Sequence, residues 1–193
     1  AMLLVDGNFR VTHISTHVSL RKACDLVKKQ RILDVIKLLD AGLSQMGIRN
    51  GKIGVAGLNP HAGDGGLFGD EEEKEIIPAI GEAVKLGFRV EGPVAPDTMF
   101  TKAITGYYDG CIAMYHDQGH IPFKLAGFKW NNDSKKMESV KGVNITLGLP
   151  VIRTSVDHGT AFDIVGKDLA SPDAMLSAID HAIRLASNKK NNR

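Results

Sequence analysis

The sequence predicts an α/β protein in which helices cover both faces of a mainly parallel β-sheet. Short apolar segments of strand length alternate along the chain with longer segments whose apolar residues recur at helical spacing. Glycine accounts for 21 of the 193 residues, which indicates many tight turns between these elements. The hydrophobic fraction is 43% and the charged fraction 24%, so the chain can bury a core and is not intrinsically disordered.

The first half of the chain predicts a strand pair, two helices and a buried strand. Residues 3–5 and 9–14 are apolar segments joined by Asp6-Gly7-Asn8, and Asp-Gly between such segments is typical of a hairpin. Helical spacing then predicts a short helix over 20–27 and a longer one over 32–46, separated by the charged residues 28–31 and ended by Gly47. A short apolar segment bounded by glycine predicts a buried strand over 52–57, followed by a loop over 58–69.

The second half predicts further strands and two more helices. Residues 70–87 should form a helix with an acidic first turn, which the helix dipole favours, and with a kink at Pro78. Strands are predicted over 88–90, 111–115 and 143–147, whereas residues 129–141 are polar and should form an exposed insertion. Ser171-Pro172 is typical of a helix start. The last helix should therefore begin there, with an apolar face made of Met175, Leu176, Ile179, Ala182, Ile183 and Ala186.

Charge and cysteine content exclude several functional classes. The formal net charge is only +2, and the last six residues carry three of the positive charges, so no nucleic-acid partner is expected. Two cysteines, Cys24 and Cys111, cannot form a disulfide framework and fit a reducing compartment. No apolar segment approaches the ~18 residues of a membrane span and no signal peptide is apparent, so we expect no membrane partner and a cytoplasmic location.

Three histidines follow predicted strands, and their positions suggest a metal site. His61 and His116 come after buried strands, and His17 follows the first strand pair. Loops at the carboxyl ends of parallel strands carry the ligand sites of α/β folds. Neutral imidazole suits Zn²⁺, Co²⁺ or Ni²⁺, and three protein ligands leave coordination positions open for substrate. The alternative is that each histidine is an ordinary polar loop residue.

Other segments could bind anions. The amides of GLNPHAGDGG, residues 57–66, could hold an anion ahead of a helix, or the segment could simply form a tight turn and cap. Arg153 could bind a carboxylate or phosphate through its planar fork, or it could pair with Asp157 on the surface. Lys124 stands alone in an apolar context, where it could bind an anion or extend to solvent as an ordinary surface lysine.

Four strings, GLNPHAGDGG, AMYHDQG, GVNITLGLP and RTSVDHGTA, occur in this order and together strongly resemble the 4-hydroxythreonine-4-phosphate dehydrogenase family of pyridoxine (vitamin B6) biosynthesis. The resemblance runs from about residue 12 to residue 186. It implies a fold like that of isocitrate and isopropylmalate dehydrogenases, and a homodimer with its active site at the interface. It also implies NAD or NADP as cofactor and a divalent metal, zinc, magnesium or cobalt, held by three histidines.

The resemblance also implies roles for individual residues. Metal binding falls to His17, His61 and His116, the last contributed across the dimer interface. Lys124, Asn144 and Arg153 match substrate-binding positions, and Asp97 matches an aspartate near the site, so Lys124 and Asp97 are the candidate catalytic proton acceptors. The cofactor-binding loop would comprise Asp157, His158, Gly159, Thr160 and Asp163.

Two departures from the family pattern bear on substrate and domain organisation. An N-terminal segment with a substrate-contacting His-Thr pair is expected to be missing. The remaining chain divides into a metal-binding and dimerisation domain over 1–150 and a cofactor-side segment over 151–193. An insertion of about ten residues before GVN resembles one found in the paralogues that act on 4-phospho-D-threonate or 4-phospho-D-erythronate.

The longer predicted helix has a broad apolar face, which is expected to serve both core and dimer interface. Its residues are Ile32, Val35, Ile36, Leu39 and Leu43.

The hypothesis is therefore an NAD(P)-dependent, metal-assisted oxidation, with decarboxylation, of a phosphorylated hydroxy acid such as 4-phosphohydroxy-L-threonine. The threonate or erythronate substrates are the alternative within the same chemistry. Two other classes stay open: a non-catalytic, dimerising metal-binding fragment, and a phosphate-binding hydrolase built on the glycine-rich loop. The hydrolase has the weaker case because no nucleophile–base pair is apparent in that loop.

Overall fold

A computed structural model describes residues 1–127, 130–132, 136–137, 142–160, 162–168 and 170–191. A seven-stranded sheet forms its centre, and a separate two-stranded sheet follows the fifth helix. The strands are β1 (Met2–Asp6), β2 (Phe9–His13), β3 (Ile53–Ala56), β4 (Val90–Val94), β5 (Gly110–Ala113), β6 (Trp130–Asn131), β7 (Lys136–Met137), β8 (Val143–Thr146) and β9 (Thr154–Val156). The helices are α1 (Leu20–Asp25), α2 (Lys29–Gln45), α3 (Ile77–Lys85), α4 (Pro96–Ile104), α5 (His116–Gly127) and α6 (Asp173–Asn191).

The large sheet has the strand order β4-β3-β5-β2-β1-β8-β9. Strands β4, β3, β5 and β2 are parallel neighbours, whereas β1 is antiparallel to both β2 and β8, and β9 is antiparallel to β8. Five of the seven strands therefore point the same way, which confirms the prediction of a mainly parallel sheet. The carboxyl ends of those five strands meet at one edge, where ligand sites lie in such folds.

Helices cover both faces of this sheet, as predicted. Alternate residues of β1 separate into two cores, with Leu3 and Val5 on one face and Leu4 on the other. The first core contains the buried side chains of α2, α3 and α6, and the second contains Phe100 of α4 and Phe123 of α5. No helix among the described residues is long and apolar enough to cross a membrane.

The predicted hairpin and the end of α2 are confirmed. Asp6 pairs with Phe9, so the loop between β1 and β2 has two residues, and Gly7 takes the left-handed φ of 55° that such turns need. After α2, Gly47 has a φ of 88° just beyond the Met46 cap. The boundary between α1 and α2 differs from the prediction, because α2 begins at Lys29 and takes most of the charged stretch into its first turn.

The acidic helix predicted over 70–87 contains a wide turn instead of a kink at Pro78. Residues Glu72–Ile76 form a π-helix, and the Ile77 amide donates to the Glu72 carbonyl five residues back, before α3 continues to Lys85. Pro78 has no N–H to offer, so the widened turn lies where the ordinary bond pattern is interrupted. This turn buries Glu72, which is only 2% exposed.

Three elements differ from the predicted boundaries. Strand β4 begins at Val90 because Phe88 still belongs to the turn that ends α3, where its amide donates to the Ala83 carbonyl. Helix α4 follows β4 in a stretch that carried no prediction. Residues 116–119, expected as a loop, form the first turn of α5.

The predicted insertion and the predicted interfaces also differ from expectation. Within 129–141, residues 130–131 and 136–137 pair as β6 and β7, while residues 129, 133–135 and 138–141 lie outside the described residues. The α2 face expected to serve the interface is wholly buried, so it is a core surface only.

On α6 the helix start at Ser171 is confirmed by a hydrogen bond from the Asp173 amide to the Ser171 hydroxyl. The predicted apolar face of α6 is not its packing face: the helix packs on β8 and β9 through Ala174, Ala178 and Leu185 and leaves Met175, Leu176, Ile179 and Ile183 about half exposed.

Candidate functional site

Four histidine rings cluster at the carboxyl edge of the sheet. His13 ends β2, His17 lies in the loop that follows, and His116 and His120 occupy the first two turns of α5. The ring centroids of His17 and His116 are 5.8 Å apart, and those of His116 and His120 are 3.7 Å apart with the planes only 9° from parallel. His13 lies 4.7 Å from His120. The sequence analysis found His17 and His116 but missed the other two.

Buried hydrogen bonds fix the turn that carries His116. The Gln118 side chain accepts from the Met114 amide at 2.6 Å and donates to the Gly57 carbonyl at 2.8 Å, which ties the end of β5 to the end of β3. The Ser15 hydroxyl donates to the Met114 carbonyl from the loop after β2. Three neighbouring strand ends are therefore joined by polar contacts beneath the histidines.

Both histidine rings of α5 have a partner that restricts their orientation. His116 Nδ1 lies 2.6 Å from Asp117 Oδ1. His120 Nδ1 lies 3.0 Å from the His116 carbonyl oxygen and must carry the proton, because a carbonyl only accepts. In its neutral form His120 therefore keeps its lone pair on Nε2.

His13 and His120 are kept neutral by burial. Desolvation, joined by the neighbouring His120 and His116, lowers the pKa of His13 to about 3. Desolvation also lowers the pKa of His120. His13 is 2% exposed, and neither of its ring nitrogens has a hydrogen-bond partner among the described residues. Such orphaned buried groups are rare and call for an explanation.

His61 occupies a separate loop with a strained backbone. It lies in the 3₁₀ turn Pro60–Gly63 with a left-handed φ of 53°, next to Ala62 with a φ of 55°. Non-glycine residues held in this region are often found at functional sites. Its ring lies 6.1 Å from that of Phe68. Among the described residues, no three His, Cys, Asp or Glu side chains are arranged to hold a metal ion, so one chain brings His17 and His116 together without His61.

The buried carboxylate of Glu72 holds the loop that carries His61. Its Oε1 accepts from the Leu58 and Asn59 amides at 2.7 and 2.8 Å, and its Oε2 accepts from Asn59 Nδ2 at 2.8 Å. Farther along, the Asp64, Gly66 and Phe68 amides bond to carbonyls of the same loop. These bonds favour the tight-turn interpretation of GLNPHAGDGG over an anion cradle.

Lys124 continues the line of side chains that begins at His116. Residues 116, 120 and 124 are four apart and share one face of α5. Lys124 Nζ lies 3.3 Å from the Asp157 carbonyl and 3.5 Å from its Oδ2. The interpretation of Lys124 as an ordinary solvent-directed lysine therefore does not describe it, because it holds the start of the segment after β9.

Two further substrate-binding candidates lie on the neighbouring strands. The Asn144 Oδ1 on β8 is buried and has no hydrogen-bond partner in the described part of the chain. Arg153 donates from Nη1 to the Thr146 hydroxyl at 2.8 Å, so it does not form the alternative pair with Asp157. Asn144 and Thr146 point to the same side of β8 because they are two residues apart. That side is the one facing α5, since Asn144 pairs with Leu4 of the second core.

A large cleft opens beside the segment after β9. Its volume is about 830 Å³ and its walls include His158, Gly159, Thr160, Val165, Asp168 and Ser171. Three of the predicted cofactor-binding residues therefore line it. Asp157 turns towards Lys124 instead, and the side chain of Asp163 lies outside the described part of the structure.

Asp97, the second candidate proton acceptor, lies on a different surface. It is in the first turn of α4 and lines a groove of about 470 Å³ between α4 and α5. Asp117, the partner of His116, lines the same groove.

A family model described as pyridoxal phosphate biosynthetic protein PdxA matches residues 1–182. The chain belongs to this family. The resemblance predicted from the four sequence strings is thereby confirmed.

The PdxA-family chain is similar to curated dehydrogenases. A Bradyrhizobium diazoefficiens protein, provisionally named D-threonate 4-phosphate dehydrogenase, is 52% identical over 186 residues, which are 96% of this chain and 54% of that protein. An Oceanobacillus iheyensis protein with the same provisional name is 51% identical over 190 residues, 98% of this chain and 54% of the relative. The chain thus spans about half the length of the curated relatives it matches.

Solved structures share the fold. A 4-hydroxythreonine-4-phosphate dehydrogenase from Klebsiella pneumoniae has a TM-score of 0.80 and 46% identity, covering 96% of this chain and 53% of that structure. A terephthalate 1,2-cis-dihydrodiol dehydrogenase from Burkholderia xenovorans has a TM-score of 0.73 and 32% identity, covering 95% and 55%. All four of these similar proteins are named as dehydrogenases, so the family is one of oxidoreductases.

Proposed function

We propose that the protein is an NAD(P)-dependent, metal-assisted dehydrogenase that oxidises a secondary alcohol of a phosphorylated hydroxy acid and then decarboxylates the product. The observation that carries this proposal is the row of side chains from His17 through His116 and His120 to Lys124. It brings imidazoles suited to a metal, on α5 and in the loop after β2, into line with a lysine suited to a phosphate, and that lysine contacts the residue next to an open cleft, in a family of dehydrogenases.

The histidines fit a divalent cation in donor chemistry. His17 and His116 are adjacent imidazoles, a donor type that zinc and cobalt accept. His61 would complete the set, and we propose a homodimer in which one of the three histidines crosses to the second subunit, as the resemblance implies for His116. A divalent cation held there would supply Lewis acidity, which lowers the pKa of a substrate hydroxyl.

The chain's own residues would bind and orient the substrate. Lys124 and Arg153 carry the positive charges that suit a phosphate and a carboxylate, and the unpaired Oδ1 of Asn144 can accept from a substrate hydroxyl. Asp97 or Lys124 would accept the hydroxyl proton as hydride leaves for the nicotinamide. Because Lys124 contacts Asp157, substrate binding to Lys124 would also affect the position of the segment after β9.

The glycine-containing cleft would take the dinucleotide. Apart from its two chain neighbours, no described residue has an atom within 4 Å of the position that a Cβ of Gly159 would occupy, so its backbone is open to a ligand. With His158 and Thr160 it lines a cleft large enough for part of a nucleotide. The adenosine side of NAD or NADP is the proposed occupant.

Two substrates are candidates within this chemistry. The curated relatives carry a D-threonate 4-phosphate name, and the insertion after α5 fits that subgroup, whereas the solved structures at 46–47% identity carry the 4-hydroxythreonine-4-phosphate name. The two acids share the phosphate and differ at C2, where one has a hydroxyl and the other an amine. We propose 4-phospho-D-threonate or 4-phosphohydroxy-L-threonine as substrate, with 4-phospho-D-erythronate as a further member of the class.

Steady-state reduction of NAD and NADP with each acid tests the proposal, in parallel with calorimetric Co²⁺ binding. We expect reduction with one of the acids, loss of that activity with EDTA, and loss of Co²⁺ binding in His17→Ala. His181→Ala on α6 is the matched control, because it removes an imidazole outside the cluster.

Co²⁺ binding without binding of either nucleotide would favour the non-catalytic metal-binding fragment instead. Light scattering tests the homodimer: we expect a dimer that EDTA weakens, since a shared metal site links metal affinity to association. A metal-loaded monomer at micromolar concentration would refute the shared site.

A further inference from the structure

The buried pair His13–His120 has so far been given no role of its own in binding. Both side chains are buried, at 2% and 8% exposure, and both face the cluster from beneath His116. Gly119 makes room for the pair, because a Cβ at that position would collide with the His13 ring. Burying two imidazoles here costs free energy, so the fold keeps polar groups where an apolar pair would pack more simply.

Holding His116 in place does not require His120. The Asp117 carboxylate already contacts His116 Nδ1 at 2.6 Å, which restricts the ring and leaves its other nitrogen for a ligand. The His120 ring is instead placed halfway along the α5 row. His116 lies one turn before it, and the ion pair of Lys124 and Asp157 lies beyond it, close enough for both charges to act on the His120 ring.

The spacing of this row matches the length of a small phosphorylated acid. Eight residues of helix span about 12 Å from His116 to Lys124. A four-carbon acid measures roughly 6–7 Å from its carboxylate carbon to its phosphorus, from bonds of about 1.5 Å. The remainder is taken up by a metal–imidazole bond of about 2 Å at one end and by the lysine stem at the other. A substrate bridging these two ends therefore passes over His120.

We propose that His120 is a substrate-binding residue, and that its Nε2 accepts a hydrogen bond from a hydroxyl or amino group on the middle carbons of the substrate. The Nδ1 bond to the His116 carbonyl fixes the tautomer and leaves the lone pair on Nε2. His13 lies 4.7 Å behind it with both nitrogens unpaired among the described residues, so the same bound group or a water beside it can complete the bonding of the pair. The inference rests on the proposed function.

His120→Phe and His120→Leu test this role in the Co²⁺-loaded protein. Phenylalanine keeps a flat ring against His116 but has no nitrogen, whereas leucine removes both. We expect either variant to raise the calorimetric Kd for the phosphorylated acid, and its KM where turnover is measured, about five- to tenfold, as loss of one neutral hydrogen bond would. Co²⁺ affinity should stay within about twofold of the wild-type value, because Asp117 still orients His116.

His181→Leu is the control for loss of a half-buried imidazole, and we expect no change in either affinity. Three results would each overturn the proposal. The first is wild-type substrate affinity in both His120 variants, and the second is wild-type substrate affinity in the phenylalanine variant alone. The third is a tenfold loss of Co²⁺ affinity in either variant. Leucine is close to histidine in volume and phenylalanine keeps a flat ring, so either variant decides the question where the other fails to fold. Wild-type protein that binds neither acid would refute the proposed function itself, a result distinct from variants that bind like the wild type.

Discussion

Replacing Glu72 with alanine should loosen the loop that carries His61 and destabilise the protein. The carboxylate is 2% exposed and accepts three hydrogen bonds of 2.7 to 2.8 Å from Leu58 and Asn59. Each buried donor left without a partner costs about 1–3 kcal/mol, and partial rearrangement of a surface loop recovers some of that cost. We therefore expect Glu72→Ala to lower the free energy of unfolding by about 3–5 kcal/mol.

The conservative variant should separate hydrogen bonding from side-chain volume. In Glu72→Gln the amide oxygen can still accept from the two backbone amides, and only the bond from Asn59 Nδ2 is lost, so a loss of about 1 kcal/mol is expected. Glu73→Ala is the matched control, since this neighbouring glutamate is exposed. Its effect should stay within about 0.5 kcal/mol.

Equilibrium urea unfolding followed by circular dichroism measures all three variants. Hydrogen exchange at the Leu58 and Asn59 amides gives a second, local measurement, and exchange should accelerate in the alanine variant before global stability is lost. If Glu72→Ala is no less stable than Glu73→Ala and those amides keep their protection, the three bonds do not hold the loop and the reasoning is wrong.

Three further predictions concern the cleft, the buried histidine and the thiols. Gly159→Val should weaken NAD binding in fluorescence titration without lowering the melting temperature, because the new side chain meets open cleft rather than core; unchanged affinity would count against a nucleotide there. The pKa of His13 falls from 6.5 to about 3 on folding, so between those pH values the unfolded chain binds a proton that the folded chain does not. The free energy of unfolding should therefore fall below pH 6.5 by up to about 1.4 kcal/mol per pH unit. Urea unfolding at pH 7 and pH 5 would show this decrease, which should be smaller in His13→Leu. Burial raises the pKa of the Cys111 thiol to about 12, so a thiol reagent should titrate Cys24 in the native protein and reach Cys111 only in denaturant.

The α/β layers could be predicted from the sequence because most elements carry a clear local signal. The β1–β2 hairpin has Asp-Gly at its turn, β3 is a short apolar run between glycines, and α2 has seven buried residues at helical spacing. In each case the local pattern and the tertiary packing favour the same structure. Helix α5 is the counter-example, since its first turn is His-Asp-Gln-Gly and Pro122 lies inside it. Burial of Gln118 and the fit of Gly119 against His13 stabilise it, and both are contacts with residues distant in sequence.

His120 was missed as a site residue because helix α5 was not predicted. With residues 116–119 predicted as a loop and no helix predicted after them, the four-residue spacing of His116, His120 and Lys124 had no structural meaning. His13 was hidden in another way, because a histidine within a strand gives no signal of whether its ring is buried or exposed. On α6, helical spacing identifies the apolar stripe but does not say what covers it, and the described helix packs through other residues.

The position of β1 inside the large sheet has a consequence for how the protein folds. This apolar strand is hydrogen-bonded to β8, whose residues follow about 140 positions later in the sequence. Closing so distant a pairing is slow, since the loop-closure entropy is lost before the contacts form. During synthesis the β1 edge formed by Leu3 to Val5 therefore lacks its β8 partner until β8 has been made. An unpaired apolar edge of this kind promotes aggregation. Yield of folded protein should depend on chaperone capacity during translation more than on the equilibrium stability of the finished sheet.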